Sequence, residues 1–170
     1  MREIFYGAAI QGNIDRAERA PIHKHAIDII KREGFAVLSE HTSGKTKEET
    51  ALLLENAIGK ISPETNRSIA IRQALLGFID RPELAGIIFE TTIPSTGTGI
   101  EIGYACTRQQ RGLTAVQILA LNQKNIWPSG LSTMVKGVGK EELPNFELVE
   151  YEKMGELENI IKKFLSQLLV

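Results

Sequence analysis

The residues best suited to chemistry lie in one stretch, residues 94–101, which reads Pro-Ser-Thr-Gly-Thr-Gly-Ile-Glu. A buried apolar run precedes it and a helical segment follows it. The free N–H groups of such a turn, with the dipole of the helix, suit anionic or strongly polar groups. We expect Glu101 in the first turn of that helix, where its carboxylate is stabilised in the ionised form. It could then act as a nucleophile, or stabilise positive charge, at the C1′ of a sugar. On these residues alone, the favoured interpretation is that Glu101 is simply a favourable acid at a helix start.

Apolar runs and helical periods alternate along the chain and show where this segment must lie. The patterns predict strands at residues 4–10, 35–38, 85–90, 116–121 and 146–151, and helices at about 17–32, 47–59, 62–79, 97–112 and 154–169. The alternation predicts one α/β domain, residues 1–170, with a flavodoxin-like (Rossmann-like), doubly wound sheet. The five strands should be mainly parallel, in the order 2-1-3-4-5. Ligands of such sheets bind beyond the carboxyl ends of the strands, where Glu101 is expected.

Composition excludes several functional classes. The 170 residues carry 20 basic and 21 acidic side chains, a net charge of −1, so we expect no nucleic acid and no membrane as partner. No apolar run approaches the ~18 residues of a membrane span. The only cysteine, Cys106, fits a reducing compartment, and a strand directly after Met1 leaves no signal peptide, so we expect a cytoplasmic protein. No cluster has metal-ligand spacing, so neither a metal nor a cofactor is expected.

Three segments carry the motifs of one known family. Residues 4–12 read Ile-Phe-Tyr-Gly-Ala-Ala-Ile-Gln-Gly, residues 37–41 read Val-Leu-Ser-Glu-His, and residues 89–105 contain Glu-Thr-Thr-Ile-Pro-Ser-Thr-Gly-Thr-Gly-Ile-Glu-Ile-Gly-Tyr-Ala. The last resembles, almost position for position, the pattern Glu-Val-Thr-x-Pro-Ser-x-Gly-x-Gly-x-Glu-x-Gly-x-Ala. The chain therefore resembles the nucleoside 2-deoxyribosyltransferase superfamily, and most closely its 2′-deoxynucleoside 5′-phosphate N-hydrolase branch.

The resemblance implies a role for each matching position. Glu101 matches the nucleophile, which displaces the base at C1′ and forms a glycosyl-enzyme ester that water or another base then attacks. Ser95 matches a serine that binds the 5′-phosphate, and Ser132 one that a second subunit supplies. We therefore expect a homo-oligomer, at least a dimer, with residues 127–139 near the interface. The further substrate contacts that the resemblance implies are Ala9, Ile10, Gln11, Gly12, His41, Glu90, Gly97, Gly99 and Met134.

The sequence also departs from the family pattern. The family's catalytic aspartate falls at residues 75–77, which contain no acid, so Asp80 is the nearest candidate for the acid. Phe5 stands in the position of a tyrosine, and Ala9 and Gln11 stand in those of a phosphate-binding Ser and Arg. The alternative function is thus a catalytically degenerate module that binds a nucleotide or nucleoside. Two further expectations stay open. For His41 and Glu90, structural hydrogen bonding is the favoured alternative to a substrate contact, and Trp127 either caps a base or packs its loop.

Overall fold

A parallel five-stranded sheet organises the chain. The computed structural model describes residues 1–10, 16–126, 131–139 and 141–169. The strand order is β2-β1-β3-β4-β5, and every neighbouring pair is parallel. This confirms the predicted flavodoxin-like order, with no antiparallel strand among those described. The strands are β1 Glu3–Ala8, β2 Ala36–Val37, β3 Leu84–Glu90, β4 Gln117–Gln123 and β5 Phe146–Tyr151.

Helices follow the strands and cover both faces of the sheet. They are α1 Arg16–Arg32, α2 Lys47–Ile58, α3 Arg67–Ile79, α4 Thr96–Cys106, α5 Thr133–Lys136 and α6 Met154–Gln167, with 3-10 turns at Glu40–Ser43 and Gln109–Arg111. None of the helices within the described ranges is both long and apolar enough to cross a bilayer.

The alternation of side chains along each strand divides the core into two layers. Tyr6 and Ile88 point to the face covered by α1 and α6, while Phe5, Ile87 and Phe89 point to the face covered by α3 and α4. Both layers are buried over β1, β3 and β4, which is why these three strands are nearly continuous apolar runs. The edge strand β5 alternates instead. The two faces thus separate α4, which carries Glu101, from α1 and α6.

The start of α3 departs from the predicted elements, as do the end of α4, at Cys106, and the short helix α5. Ser62 and Pro63 were expected to open this helix, but they belong to a turn in which the amide of Thr65 donates to the carbonyl of Ser62 at 2.9 Å. The helix begins after Asn66, whose side chain accepts from the amide of Ile69 at 3.2 Å. A side-chain cap therefore outweighs the Pro signal at this site.

Candidate functional site

A cleft of about 570 Å³ opens beyond the ends of β1 and β3. We call it the Glu101 cleft. Its walls come from the end of β1, from the first turns of α1 to α4 and from the segment after β2. The lining residues that concern the argument are Gly7, Ile10, Arg16, His41, Lys47, Thr50, Arg67, Ser95, Gly97, Thr98 and Glu101. The structure thus brings five predicted site residues together: Ile10, His41, Ser95, Gly97 and Glu101.

Ser95 determines where α4 begins. Its side chain accepts from the amide of Thr98 at 3.4 Å, which makes Ser95 the N-cap and Thr96 the first helical residue. Glu101 consequently lies in the second turn, and the expectation of a first-turn acid was wrong. The N-terminal amides of α4 and the Ser95 side chain remain at the cleft, where they suit an anionic group.

Glu101 packs closely against β1 and β3. A Cβ atom on Gly7 would lie 3.1 Å from Oε2 of Glu101 and 2.6 Å from the ring of Phe89, so glycine leaves the space that the carboxylate uses. Burial raises the pKa of Glu101 to about 7. No described residue donates a hydrogen bond or offers an ion pair to this carboxylate, so burial is not offset. The Glu101 carboxyl therefore loses its proton at a higher pH than an exposed glutamate does.

Three cations line the same cleft, and the sequence interpretation missed all of them. Arg16, Lys47 and Arg67 are the first residues of α1, α2 and α3. The Arg16 guanidinium is held in place: it donates to the carbonyls of Ile10 and Thr46, at 3.2 and 3.1 Å, and to Oγ1 of Thr50 at 3.1 Å. The available signal was incomplete: Lys47 opens a predicted helix and Arg16 directly precedes one, but Arg67 lies inside the predicted helix 62–79. Because helix N-termini gather at the carboxyl edge of a parallel sheet, cations at these positions converge.

His41 contributes a neutral ring to the cleft. It is buried, and burial lowers its pKa to about 4, so the imidazole carries no charge at neutral pH. Its Nδ1 atom has no hydrogen-bond partner among the described residues. His41 therefore supplies a polar group with free capacity rather than a positive charge.

Glu90 lies outside the lining of the Glu101 cleft, in a buried polar network. Its Oε1 atom is 3.0 Å from Nη2 of Arg19, and it accepts from the hydroxyls of Tyr151, at 3.2 Å, and Thr92. Arg19 also donates to Gln123 at 2.7 Å. Glu90 thus joins α1, β3 and β5. These contacts favour the prediction that Glu90 serves structural hydrogen bonding. Glu90 does not line the Glu101 cleft, where a contact with the substrate would place it.

Asp80 lies away from Glu101. It caps the end of α3, where one carboxylate oxygen accepts from the Tyr104 hydroxyl at 2.5 Å and the other is 2.7 Å from Nη2 of Arg111. The Arg111 guanidinium stacks on the Tyr104 ring at 3.5 Å from its centroid. Asp80 precedes β3 and so lies at the amino edge of the sheet, opposite the cleft. Asp80 is therefore not among the described residues that line the Glu101 cleft.

A second cleft, of about 590 Å³, lies against α4 and holds Gly99, Ser132 and Met134. Ser95 and Thr98 line both clefts, so the start of α4 is a wall between them. Within one chain, Ser132 therefore does not share the Glu101 cleft. Among the remaining predicted contacts, Ala9 is half-buried between two lining residues without lining the cleft itself, and Gln11, Gly12 and Trp127 lie outside the described residues.

The lining of the Glu101 cleft combines one carboxyl, three cations and a neutral imidazole. Of the described residues that line it, only Glu101 carries a carboxylate. The described ranges contain no group of three or more His, Cys, Asp or Glu side chains able to hold a metal ion. This arrangement can bind an anionic ligand and place one nucleophilic carboxylate beside it. No protein-family model matches the sequence, and no curated protein is significantly similar to it.

Proposed function

We propose that the protein is an N-glycosidase that cleaves, or transfers, the base of a nucleoside or nucleoside 5′-monophosphate, with Glu101 as the nucleophile. The observation that carries the proposal is the position of Glu101: it is the only carboxylate in the described lining of a cleft whose other ionisable lining side chains include three cations. It stands beside the capped N-terminus of α4, at the sheet edge where ligands of this fold bind.

The cleft has the dimensions and charge that such a substrate requires. A volume of about 570 Å³ lies within the range of small-molecule sites. The α4 amides, Ser95 and Gly97 provide hydrogen-bond donors for a 5′-phosphate, the role that the family resemblance gives to Ser95. Arg16 compensates for the absence of an arginine at Gln11, because its guanidinium reaches the cleft from the start of α1.

The proposed reaction takes two displacements at C1′. An oxygen of Glu101 forms a bond to C1′ while the C1′–N bond breaks. The electron pair of the C1′–N bond leaves with the base. Water then attacks C1′, the electron pair of the ester bond returns to Glu101, and the proton lost by water is taken up by the departed base or the solvent. If the enzyme transfers the base instead of hydrolysing the bond, the nitrogen of a second base attacks C1′ in place of water. The nucleophile must be ionised, and a pKa of about 7 makes it available at and above neutral pH.

The test is release of free base from a panel of nucleosides and nucleoside 5′-monophosphates, followed by chromatography. We expect Glu101→Gln to abolish release, a loss of several powers of ten, because an amide cannot form the ester intermediate. The matched control is Glu33→Gln, which changes an exposed glutamate at the end of α1, and it should behave as wild type. Base release by Glu101→Gln at the wild-type rate would refute the nucleophile role.

The second candidate is a binding module on the same fold that lacks catalysis. The placement of Asp80 favours it, because the described lining offers no second carboxyl group to protonate a departing base. Calorimetry on the same panel separates the two functions. Binding without release of base from any compound would establish the binding module.

A further inference from the structure

From the lining of the Glu101 cleft, we infer that the base of the substrate lies against an apolar wall beside Glu101, and that the protein prefers bases that carry an apolar substituent. The inference rests on the proposed function and adds the chemical class of the base. We use the name apolar wall for the five lining residues whose side chains contain no polar atom: Phe5, Ala51, Leu54, Ile71 and Leu75.

The period of two helices arranges this wall. Ala51 and Leu54 line the cleft from α2, three residues apart, and Ile71 and Leu75 line it from α3, four residues apart. Side chains at these intervals share one face of a helix. In each helix, the first residue is a cation that precedes the first of these apolar residues by four positions. Both helices thus present the same sequence of groups to the cleft, a cation followed by apolar side chains.

Burial increases from the cations to the wall. The two cations that open α2 and α3 are exposed, whereas Ile71 and Leu75 are half-buried, and Leu54 and Phe5 are only 6% and 1% exposed. The cations therefore lie at the rim of the cleft, in contact with solvent, and the apolar wall lies deeper. A ligand that enters the cleft meets the apolar wall where it loses its water.

The wall adjoins the carboxylate of Glu101 through two aromatic rings. A Cβ atom on Gly7 would lie 2.6 Å from the Phe89 ring and 3.1 Å from Oε2 of Glu101, so the ring and the carboxylate are neighbours. The Phe5 ring meets the Phe89 ring edge to face, with 6.0 Å between the centroids, and Leu75 packs against the same cluster. A group bonded to the atom that Glu101 attacks therefore lies next to the apolar wall.

The chemistry of a nucleotide decides which of its parts suits this wall. A phosphate is charged and the sugar hydroxyls need hydrogen-bond partners, and apolar side chains offer none. The four helical residues of the wall follow the first turns of α2 and α3, so their backbone N–H groups are bonded within the helices. The base has flat apolar faces and is bonded directly to C1′, so it takes the wall, while a 5′-phosphate takes the Ser95 side of the cleft. A methyl group on the base then adds buried apolar area, whereas an amino group there loses its hydrogen bonds to water.

The experiment compares two pairs of 2′-deoxynucleoside 5′-monophosphates, in each of which one member carries a methyl group that the other lacks. The thymine compound is compared with the uracil compound, and the 6-methylpurine compound with the adenine compound, in which an amino group takes the place of the methyl group. Calorimetry with full-length Glu101→Gln measures binding without turnover, and base release by the wild-type protein is followed in parallel. We expect the methyl-bearing member of each pair to bind about three- to tenfold more tightly, the factor that burial of one methyl group contributes.

Variants made in the Glu101→Gln protein then assign the preference to the wall. Ile71→Thr and Ile71→Val leave side chains of the same shape, but only threonine adds a hydroxyl, so the two separate polarity from size. We expect Ile71→Thr to narrow the ratio of the dissociation constants within each pair about two- to threefold relative to Ile71→Val. Ile69→Thr is the control, because Ile69 belongs to the same helix, is 54% exposed and is not part of the described lining. It should leave the ratio unchanged.

The outcomes separate this inference from the proposed function. Equal affinities within both pairs, or equal ratios in Ile71→Thr and Ile71→Val, would overturn the inference, while base release by the wild-type protein would still support the proposed function. If the wild-type protein releases no base but the methyl-bearing compounds bind more tightly, the apolar subsite stands and the proposed function fails. If none of the four compounds is bound or cleaved, both fail. The comparison of compounds leaves the wall unchanged, so it decides the inference even where a variant of Ile71 does not fold.

Discussion

At the scale of single residues, the surroundings of Glu101 matter more than its place along the helix. A favourable helix-start position contributes about 0.3–1 kcal/mol to an ionised carboxylate. A rise in the pKa of Glu101 from 4.5 to about 7 corresponds to roughly 3 kcal/mol in the opposite direction. Burial against Gly7 and Phe89 therefore dominates, and the carboxyl is destabilised in its charged form, as reactive groups in clefts often are.

This balance predicts a pH-dependent stability. Because the folded pKa of Glu101 lies above the unfolded value, the folded chain binds more protons between about pH 4.5 and 7, and the free energy of unfolding falls as pH rises through that range. Glu101→Gln removes the titrating group and, with it, this fall in the free energy of unfolding. We expect the variant to gain about 1–2 kcal/mol over wild type at pH 8 relative to their difference at pH 5, after allowance for solvent in the cleft. Urea denaturation at both pH values measures this difference, and a pH-independent difference would contradict a half-buried, unpaired carboxyl.

At the scale of elements, side chains from β3 and α4 fill the space over β1, so that Gly7 has no room for a side chain. A methyl group there would lie 2.6 Å from the Phe89 ring and 3.1 Å from Glu101, whereas one on Gly103, later in α4, would meet nothing within 4 Å. We expect Gly7→Ala to lower the free energy of unfolding by about 1–3 kcal/mol and to reduce base release. Gly103→Ala should raise stability by about 0.5–1 kcal/mol, since alanine suits a helix interior. Thermal unfolding of both variants tests the tight contact at Gly7. Equal changes in stability for Gly7→Ala and Gly103→Ala would disprove this contact.

The junction of α3, α4 and the following 3-10 turn depends on Asp80. Its carboxylate binds Tyr104 and Arg111, which are partly exposed, so Asp80→Asn should cost only about 1 kcal/mol of stability. Base release per folded molecule should stay at the wild-type level, because Asp80 lies outside the cleft lining. Asp28→Asn, which alters an exposed pair with Lys24, is the control for the loss of one surface charge. A loss of 10²-fold or more in Asp80→Asn alone would instead mean that Asp80 enters the cleft during catalysis.

At the scale of the whole molecule, the sequence was sufficient for the sheet and insufficient for the site. The order of strands follows from alternating elements and from the chain's tendency to wind both ways from β1. The apolar runs of β1, β3 and β4 are long enough to identify these strands, whereas β2 has two residues and β5 alternates. Contacts between distant segments do not follow from such patterns. The cations at residues 16, 47 and 67 meet only because three helix starts converge, and Asp80 is separated from Glu101 because it ends α3 at the opposite sheet edge. Local motifs found the α4 segment, but not what surrounds it.

The placement of Ser132 makes assembly the remaining question at this scale. Ser132 and Met134 line the second cleft, separated from the Glu101 cleft by the start of α4, so a single chain does not bring Ser132 to Glu101. The Met134 side chain is 82% exposed, and Ile100, on α4, is 52% exposed. If the chain forms the expected dimer through this region, these apolar side chains become buried and Ser132 can reach the partner's site.

We therefore predict a homodimer at micromolar concentration, with the described part of the Trp127–Gly139 region, residues 131–139, at its interface. Met134→Glu should shift the mass measured by light scattering from that of a dimer to that of a monomer. Burying a carboxylate in the interface without a partner costs much free energy. Leu52→Glu introduces the same charge on α2, at a side chain that is 60% exposed, and should leave the mass unchanged. If Ser132 completes the neighbour's site, Met134→Glu should also reduce base release at low protein concentration, and more protein should restore part of it. A wild-type monomer at these concentrations, or equal dissociation by both substitutions, would exclude this interface.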